Sequence, residues 1–263
     1  MSADEGIEKV VASGGKSGGD ELQHDERLFQ QPNSNHLGDC PICCAPLPYD
    51  VTRCSMQLCC SKVICKSCFL QNLVTERRQK LTPKCPFCRE TLKSKAKLYK
   101  NTMTRIKAND PIATFQFAAD CHRAGDLAKA LEYYAKAAEL GDAEAHLRLA
   151  GMFHNGQGVQ PSVEKEMSHL EAAALCGHPI ARHTLGSHEM MKGNIERGMK
   201  HYIIASNQGN KMSMTSVMDG FRQGYVTKEE LAATLRTHKN AYDAMNTPER
   251  VKTEASLEML GLN

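Results

Sequence analysis

Paired cysteines dominate one short stretch of the sequence. Ten of the twelve cysteines lie between Cys40 and Cys88. Six of them form three Cys-x-x-Cys pairs and two more stand side by side before the second pair: Cys40 and Cys43, Cys59 and Cys60, Cys65 and Cys68, Cys85 and Cys88. Thiolates at this spacing are typical ligands of tetrahedral zinc, and eight of them suffice for two sites. The sequence therefore predicts a module, residues 37–90, that holds two Zn²⁺ ions.

The surroundings of these cysteines favour metal binding over disulfides. The first residues are acidic and rich in Gly and Ser, and they show no apolar core of a secretory signal. We therefore expect an intracellular protein, cytoplasmic or nuclear, whose thiols stay reduced. No apolar run is long enough to span a bilayer, so we expect no membrane partner. A module this short buries little core, and bound zinc would supply much of its folding energy.

Charge is unevenly distributed along the chain. Residues 37–108 carry fourteen basic and four acidic side chains, whereas the whole chain has a net charge of only +3. A basic metal module could meet an acidic protein surface or a phosphate backbone. The module has no interleaved aromatic residues and no readable recognition helix, so nucleic acid is the disfavoured partner.

The remaining segments have distinct compositions. Residues 1–36 have low hydrophobicity and predict a disordered tail. Residues 91–109 are basic with a weak apolar stripe, and they predict a short connector helix.

From residue 110 onward the sequence repeats. An alanine-rich or Ile-rich turn ends in glycine at Gly141, Gly177 and Gly209, at steps of 36 and 32 residues. Such a period predicts a solenoid of helix pairs, with each glycine just after a helix end. Aspartates such as Asp110, Asp126 and Asp142 are suited to cap the helix that follows each turn.

The second of these units resembles the Sel1-like repeat, a relative of the tetratricopeptide repeat. Its most specific feature is the loop Gly156-Gln-Gly158-Val159, and the alanine pair before Gly177 also fits. The resemblance implies four repeats, the last one degenerate, followed by a capping helix: about 110–141, 142–177, 178–209 and 210–245, then 246–263.

The cysteine module resembles a RING finger, the E2-binding module of ubiquitin ligases. The ending Cys85-Pro86-Phe-Cys88-Arg89 is the most specific match. The resemblance implies interleaved ligands, with the first and third pairs on one zinc ion and the last pair with two middle cysteines on the other. No histidine stands between residues 37 and 88, so this finger would be of the all-cysteine type.

One ligand stays open at this point. Cys60 is well placed, but its partner is either the adjacent Cys59 or Cys54. Neighbours on an extended strand point to opposite faces, so Cys59 would need a tight bend. Cys44 is expected to be a spare thiol.

The RING resemblance also implies a function without a catalytic nucleophile of its own. The finger would bind a charged E2 and hold the E2–ubiquitin thioester in a reactive arrangement. The matching E2-binding positions are Ile42, Pro86 and Arg89, with Leu70 or Leu73 in place of the family's tryptophan.

The histidines of the repeats form no HExxH or other metal motif, and we expect them to be solvated or packing residues. The predicted fold is a small zinc-stabilised RING finger followed by an all-α solenoid of Sel1-like helix pairs. The predicted function is a RING-type E3 ubiquitin ligase that binds an E2 through the finger and an unknown protein substrate through the repeats. The alternative is a non-enzymatic protein–protein interaction scaffold.

Overall fold

The computed structural model describes residues 25–91 and 95–259. Its cysteine-rich part contains a single 3-10 turn, Val51–Arg53, and an antiparallel hairpin of β1, Cys54–Gln57, and β2, Lys62–Cys65. Helix α1, Lys66–Arg78, follows directly. Ile64 of β2 and Leu47 form the buried core of this part, with Phe69 and Phe87 packed against them. This core is too small to stabilise the module by apolar burial alone.

From Lys95 onward the described chain is helical. Its helices are α2 Lys95–Lys107, α3 Pro111–Arg123, α4 Leu127–Glu139, α5 Ala143–Asn155, α6 Val163–Leu175, α7 Pro179–Met191, α8 Ile195–Asn207, α9 Lys211–Arg222, α10 Lys228–Met245 and α11 Pro248–Met259. Consecutive helices from α3 to α8 pack against each other, as expected for a solenoid of helix pairs. No helix in the described residues has the length and apolar character needed to span a bilayer.

Local signals in the sequence place the helix ends of the repeats. The carboxylates of Asp110 and Asp142 accept hydrogen bonds from the backbone amides of Ala113 and Ala145, at 3.0 and 2.8 Å. Asn194 differs, because its side chain donates to Glu189 and makes no capping bond. Each predicted repeat-ending glycine has a positive φ, which side chains rarely adopt.

Small and large residues alternate in the core of the repeats. Ala130, Ala145 and Ala173 are completely buried where helices approach closely, and Tyr134 and Phe153 fill the space between helices. The Gly-x-Gly-Val loop is part of this packing. A Cβ on Gly158 would lie 2.8 Å from the Cβ of Leu127, so this close approach of loop and helix requires glycine.

Residues 25–36 lie along the repeats, and we call this segment the N-terminal strap. Leu28 is 1% exposed and packs among apolar residues that include Leu170 and Leu185. The buried guanidinium of Arg182 donates to the backbone carbonyl of Leu28 and, at 2.9 Å, to that of Ala174. The strap is thus held by both side-chain burial and backbone hydrogen bonds.

Phe29, the next residue of the strap, also contacts side chains of the repeats. The ring of Phe29 lies 4.7 Å from the ring of His201, and the guanidinium of Arg197 sits 5.0 Å from its centre. Arg197 also pairs with Asp25. Leu28 and Phe29 thus anchor residues 25–36, the last part of the segment 1–36 that composition predicts to be a disordered tail. Residues 1–24 lie outside the described residues.

The final helix contacts the cysteine-rich module. The sequence predicts that the segment 246–263 caps the stack of repeats, and the structure shows that α11, within this segment, packs against α1. The hydroxyls of Ser67 and Thr253 are 2.8 Å apart, and Arg53 pairs with Glu254 at 2.7 Å. Polar partners on α1 and the 3-10 turn therefore draw this helix onto the module.

Burial of histidines makes the stability of the repeats depend on pH. Burial, with weaker effects of neighbouring cations, lowers the pKa of His201 and His36 to about 3 and that of His169 to about 4. Below pH 6.5 these histidines therefore bind protons in the unfolded chain but stay neutral in the folded chain. The free energy of unfolding falls as the pH falls. Between pH 7 and 5 we expect each of these histidines to remove about 2 kcal/mol of unfolding free energy.

The variant His201→Phe tests this expectation. It keeps an aromatic ring beside Phe29 but cannot titrate, so its unfolding free energy should fall less between pH 7 and 5 than that of the wild type. Urea unfolding followed by helical circular dichroism measures the difference. His154→Gln, at a side chain that is 60% exposed, serves as control and should follow the wild type. Equal pH slopes for the wild type and His201→Phe would contradict the account.

Candidate metal centre

The cysteines assemble into two groups of four. Cys40, Cys43, Cys65 and Cys68 form the first tetrad, and Cys59, Cys60, Cys85 and Cys88 form the second. Within each tetrad the sulfur atoms all lie within 4.8 Å of one another, so each tetrad could hold a metal ion. The ligand pairs interleave along the chain, in the order that the RING resemblance implies.

The sulfur separations fit tetrahedral coordination. Cys43 and Cys65 have their Sγ atoms 3.9 Å apart in the first tetrad, and Cys60 and Cys85 have theirs 3.7 Å apart in the second. A tetrahedral site with Zn–S bonds of about 2.3 Å has S···S edges of about 3.8 Å. The donor set and its spacing therefore suit zinc.

The first and last cysteine pairs lie in two turns that have the same backbone hydrogen bonds. In the first turn Cys40 N donates to Ala45 O at 2.9 Å and Cys44 N donates to Cys40 O at 2.8 Å. In the second, Cys85 N donates to Glu90 O and Arg89 N donates to Cys85 O. Cys44 and Arg89 occupy equivalent positions with φ of 54° and 60°. The left-handed backbone at Arg89 is therefore a property of the turn and not of the arginine.

The middle ligands come from the hairpin and the helix that follows it. Cys65 ends β2 and caps α1, and its Sγ accepts from the backbone amide of Cys68 at 3.5 Å. Cys59 and Cys60 occupy the turn between the strands, where the amides of Cys60 and Ser61 both donate to Gln57 O. Ser61 has a φ of 53°, so the chain bends sharply there and the neighbouring cysteines face one site.

The structure separates the remaining cysteines of the module from the tetrads. Cys54 lies opposite Cys65 in the hairpin, but its thiol faces Pro48 O at 3.5 Å. Burial raises the pKa of Cys54 to about 12, as expected for an inert thiol. Cys44 is exposed in its turn. Geometry thus brings Cys59, and neither Cys54 nor Cys44, to the second tetrad.

The thiols within the first tetrad differ in how readily they ionise. Burial acts to raise the pKa of Cys43, but the backbone amide of Ala45 and the guanidinium of Arg250 outweigh it and lower the pKa to about 7. Burial and the neighbouring sulfurs raise the pKa of Cys68. A bound divalent cation would favour the thiolate form at every ligand.

The predicted E2-binding residues lie on three segments. Ile42 is 43% exposed in the first cysteine turn. Leu70 lies half-buried on α1, and Pro86 lies half-buried in the second cysteine turn. The exposed side chain of Arg89 reaches to 3.6 Å from the carboxylate of Glu76, a buried residue of α1.

Sequence reasoning missed a polar cluster where the strap meets the repeats. The Nε2 atom of His178 lies 2.9 Å from a carboxylate oxygen of Glu144, and the ring of His36 stacks on His178 with centres 4.0 Å apart. Glu144, His178 and His36 are close enough to hold an ion. However, Nε2 of His178 is engaged with Glu144 and its Nδ1 accepts from the amide of Ala181. We therefore interpret His178 and Glu144 as a buried hydrogen-bonded pair on which the ring of His36 stacks, and not as solvated side chains.

Comparison with known proteins identifies the repeats. Residues 119–142, 143–178 and 182–210 match the Sel1 repeat family, so this chain contains Sel1 repeats. A solved Sel1 repeat protein from Oxalobacter formigenes is similar, with 25% identity, 46% of this chain and 97% of that chain covered, and a TM-score of 0.42. The protective antigen c5321 of uropathogenic Escherichia coli, with an SLR fold, is 20% identical over 56% of this chain and 34% of its own, with a TM-score of 0.46. No curated protein matches the chain.

Single cysteine changes should distinguish ligands from spare thiols. We expect Cys59→Ser and Cys60→Ser each to lose about one zinc ion per chain, because three thiolates bind zinc less tightly than four. Cys54→Ser and Cys44→Ser should keep the metal content of the wild type. Elemental analysis of purified protein after dialysis measures the ratio. Metal loss in Cys54→Ser with full retention in Cys59→Ser would reverse the assignment.

Proposed function

We propose that this protein is a RING-type E3 ubiquitin ligase whose finger binds a charged E2 and whose Sel1 repeats bind the substrate. The observation that carries the proposal is the pair of interleaved cysteine tetrads around one hairpin and one helix. Each tetrad would hold one Zn²⁺ as a structural ion, because all four ligand positions are taken by thiols. Bound zinc supplies folding energy to the module and takes no part in the transfer step.

The residues around the tetrads suit the contacts that an E2 would need. Ile42 projects from the first cysteine turn and offers an apolar contact. The fork of donors on Arg89 is exposed beside the second tetrad and could bridge the E2 and ubiquitin. The protein would then accelerate transfer by holding the conjugate in a reactive arrangement, with no covalent intermediate of its own.

The repeats support the substrate-binding half of the proposal. Sel1 repeats generally mediate binding to partner proteins, so the repeats indicate a protein–protein interaction scaffold. A function confined to scaffolding is the second candidate, and the docking of α11 on α1 favours it. Ser67 is buried there at the start of α1, so part of the helix surface is already occupied. The proposal includes a reducing intracellular compartment, where thiols that bind metal stay reduced.

Changes at Ile42 and Arg89 should affect different steps. Ile42→Ala should raise the Kd for the E2 about 5- to 30-fold through lost apolar burial. Arg89→Ala should lower the rate of ubiquitin discharge about 10- to 100-fold, as expected for one charge-assisted hydrogen bond, with little change in E2 binding. Single-turnover discharge from a panel of charged E2 enzymes, together with E2 binding, measures both.

Arg78→Ala is the matched control, because Arg78 is an exposed arginine at the end of α1. It should leave both the discharge rate and E2 binding unchanged. Absence of discharge by the zinc-loaded wild type with every E2 would favour the scaffold. Discharge that is insensitive to Arg89→Ala would remove only the role given to that arginine.

A further inference from the structure

A buried arginine of the last helix reaches the first cysteine turn. Arg250 lies in the first turn of α11 and is 2% exposed. The first tetrad begins in a turn more than 200 residues earlier in the chain. Because a guanidinium keeps its charge even when buried, such a position requires strong hydrogen-bond acceptors.

The partners of Arg250 come mainly from the cysteine turn. Its Nη1 atom donates to the backbone carbonyls of Pro46 at 2.5 Å and Met245 at 2.8 Å. Its Nη2 atom donates to the carbonyl of Ala45 at 3.1 Å and lies 3.3 Å from the Sγ of Cys43. One side chain thus ties together the last ligand of the first pair, the backbone that follows it and the end of α10.

This geometry matters for a metal bound by four thiolates. Such a site carries two net negative charges, and Arg250 is a buried cation in direct contact with one of its sulfurs. Groups that donate hydrogen bonds to metal ligands orient those ligands and tune the bond to the metal. Arg53 differs in this respect: it also joins the module to α11, through Glu254, but contacts no thiol of either tetrad in the described structure.

We infer that Arg250 is a positioning residue of the first metal site, which holds Cys43 and its turn in place and so makes the site depend on the final helix. The inference rests on the proposed zinc site at the first tetrad. Because Ile42 precedes Cys43 in the same turn, Arg250 would also hold the apolar residue proposed for E2 binding.

The test compares Arg250→Gln, Arg250→Lys and Arg53→Gln in the full zinc-loaded chain. Each variant is treated with an alkylating agent, and mass spectrometry follows the modification rate of each cysteine. Arg250→Gln should expose the cysteines of the first tetrad to alkylation at least about tenfold faster, as for loss of a hydrogen bond to a metal ligand. The second tetrad should keep its wild-type rate, and Arg53→Gln should leave both tetrads unchanged.

Arg250→Lys keeps the charge but cannot donate from a planar fork to several acceptors. It should give an intermediate rate, and after cobalt substitution it should shift the thiolate-to-cobalt absorption band of the first site. If Arg250→Gln does not fold, the alkylation rate and the cobalt band of Arg250→Lys test the inference by themselves.

Three results would overturn the inference. Equal acceleration in Arg250→Gln and Arg53→Gln would mean that both arginines only dock the helix. Wild-type rates and an unshifted cobalt band in the Arg250 variants would remove the role of Arg250 while leaving the zinc module and the proposed function intact. A wild-type protein with no zinc at the first tetrad would refute the metal site itself and the inference with it.

Discussion

The cysteine-rich module has too little apolar area to fold by burial, and the rest of the structure is arranged around this constraint. Its buried apolar residues are few, and Leu47 and Ile64 are the largest of them. The eight clustered thiols are one source of stability, because a metal ion in each tetrad would replace a missing core. Contacts of the module with the N-terminal strap and with α11 are the second source.

Both contacts use a buried arginine that donates to backbone carbonyls. Arg182 holds the strap by its bond to Leu28, and Arg250 holds the first cysteine turn by its bonds to Ala45 and Pro46. Backbone carbonyls are present whatever the side chain, so such a bond fixes the path of a segment and tolerates changes in its sequence. A buried guanidinium without these acceptors would destabilise the fold by several kcal/mol. The two arginines therefore make the arrangement of module and repeats specific.

Periodic and short-range features of the fold were predictable from the sequence. Gly141, Gly177 and Gly209 mark helix ends because a positive φ is a local requirement. The paired cysteines likewise reveal the tetrads, since ligand spacing reflects the geometry of one turn. The bend that brings Cys59 beside Cys60 was not predictable, because it depends on the conformation of Ser61, which has no special sequence signal.

Long-range contacts were beyond the reach of the sequence patterns. Leu28 and Phe29 are two apolar residues in a polar segment, so composition averaged over residues 1–36 concealed them. Arg250 is one charged residue among many, and nothing in its neighbourhood distinguishes it from a solvated side chain. The burial of His178 beside Glu144 depends in the same way on a pairing across 34 residues.

The bond between Arg250 and Cys43 has a consequence for biosynthesis. The two residues are separated by 207 positions, so a ribosome must add the whole of the repeats after the first cysteine turn before its partner exists. Contacts between such distant residues form late, after the local helix pairs. The nascent cysteine-rich module would therefore pass through a period in which Arg250 does not yet support its first cysteine turn. Metal supply and protection from oxidation during synthesis would then decide how much protein reaches the native state.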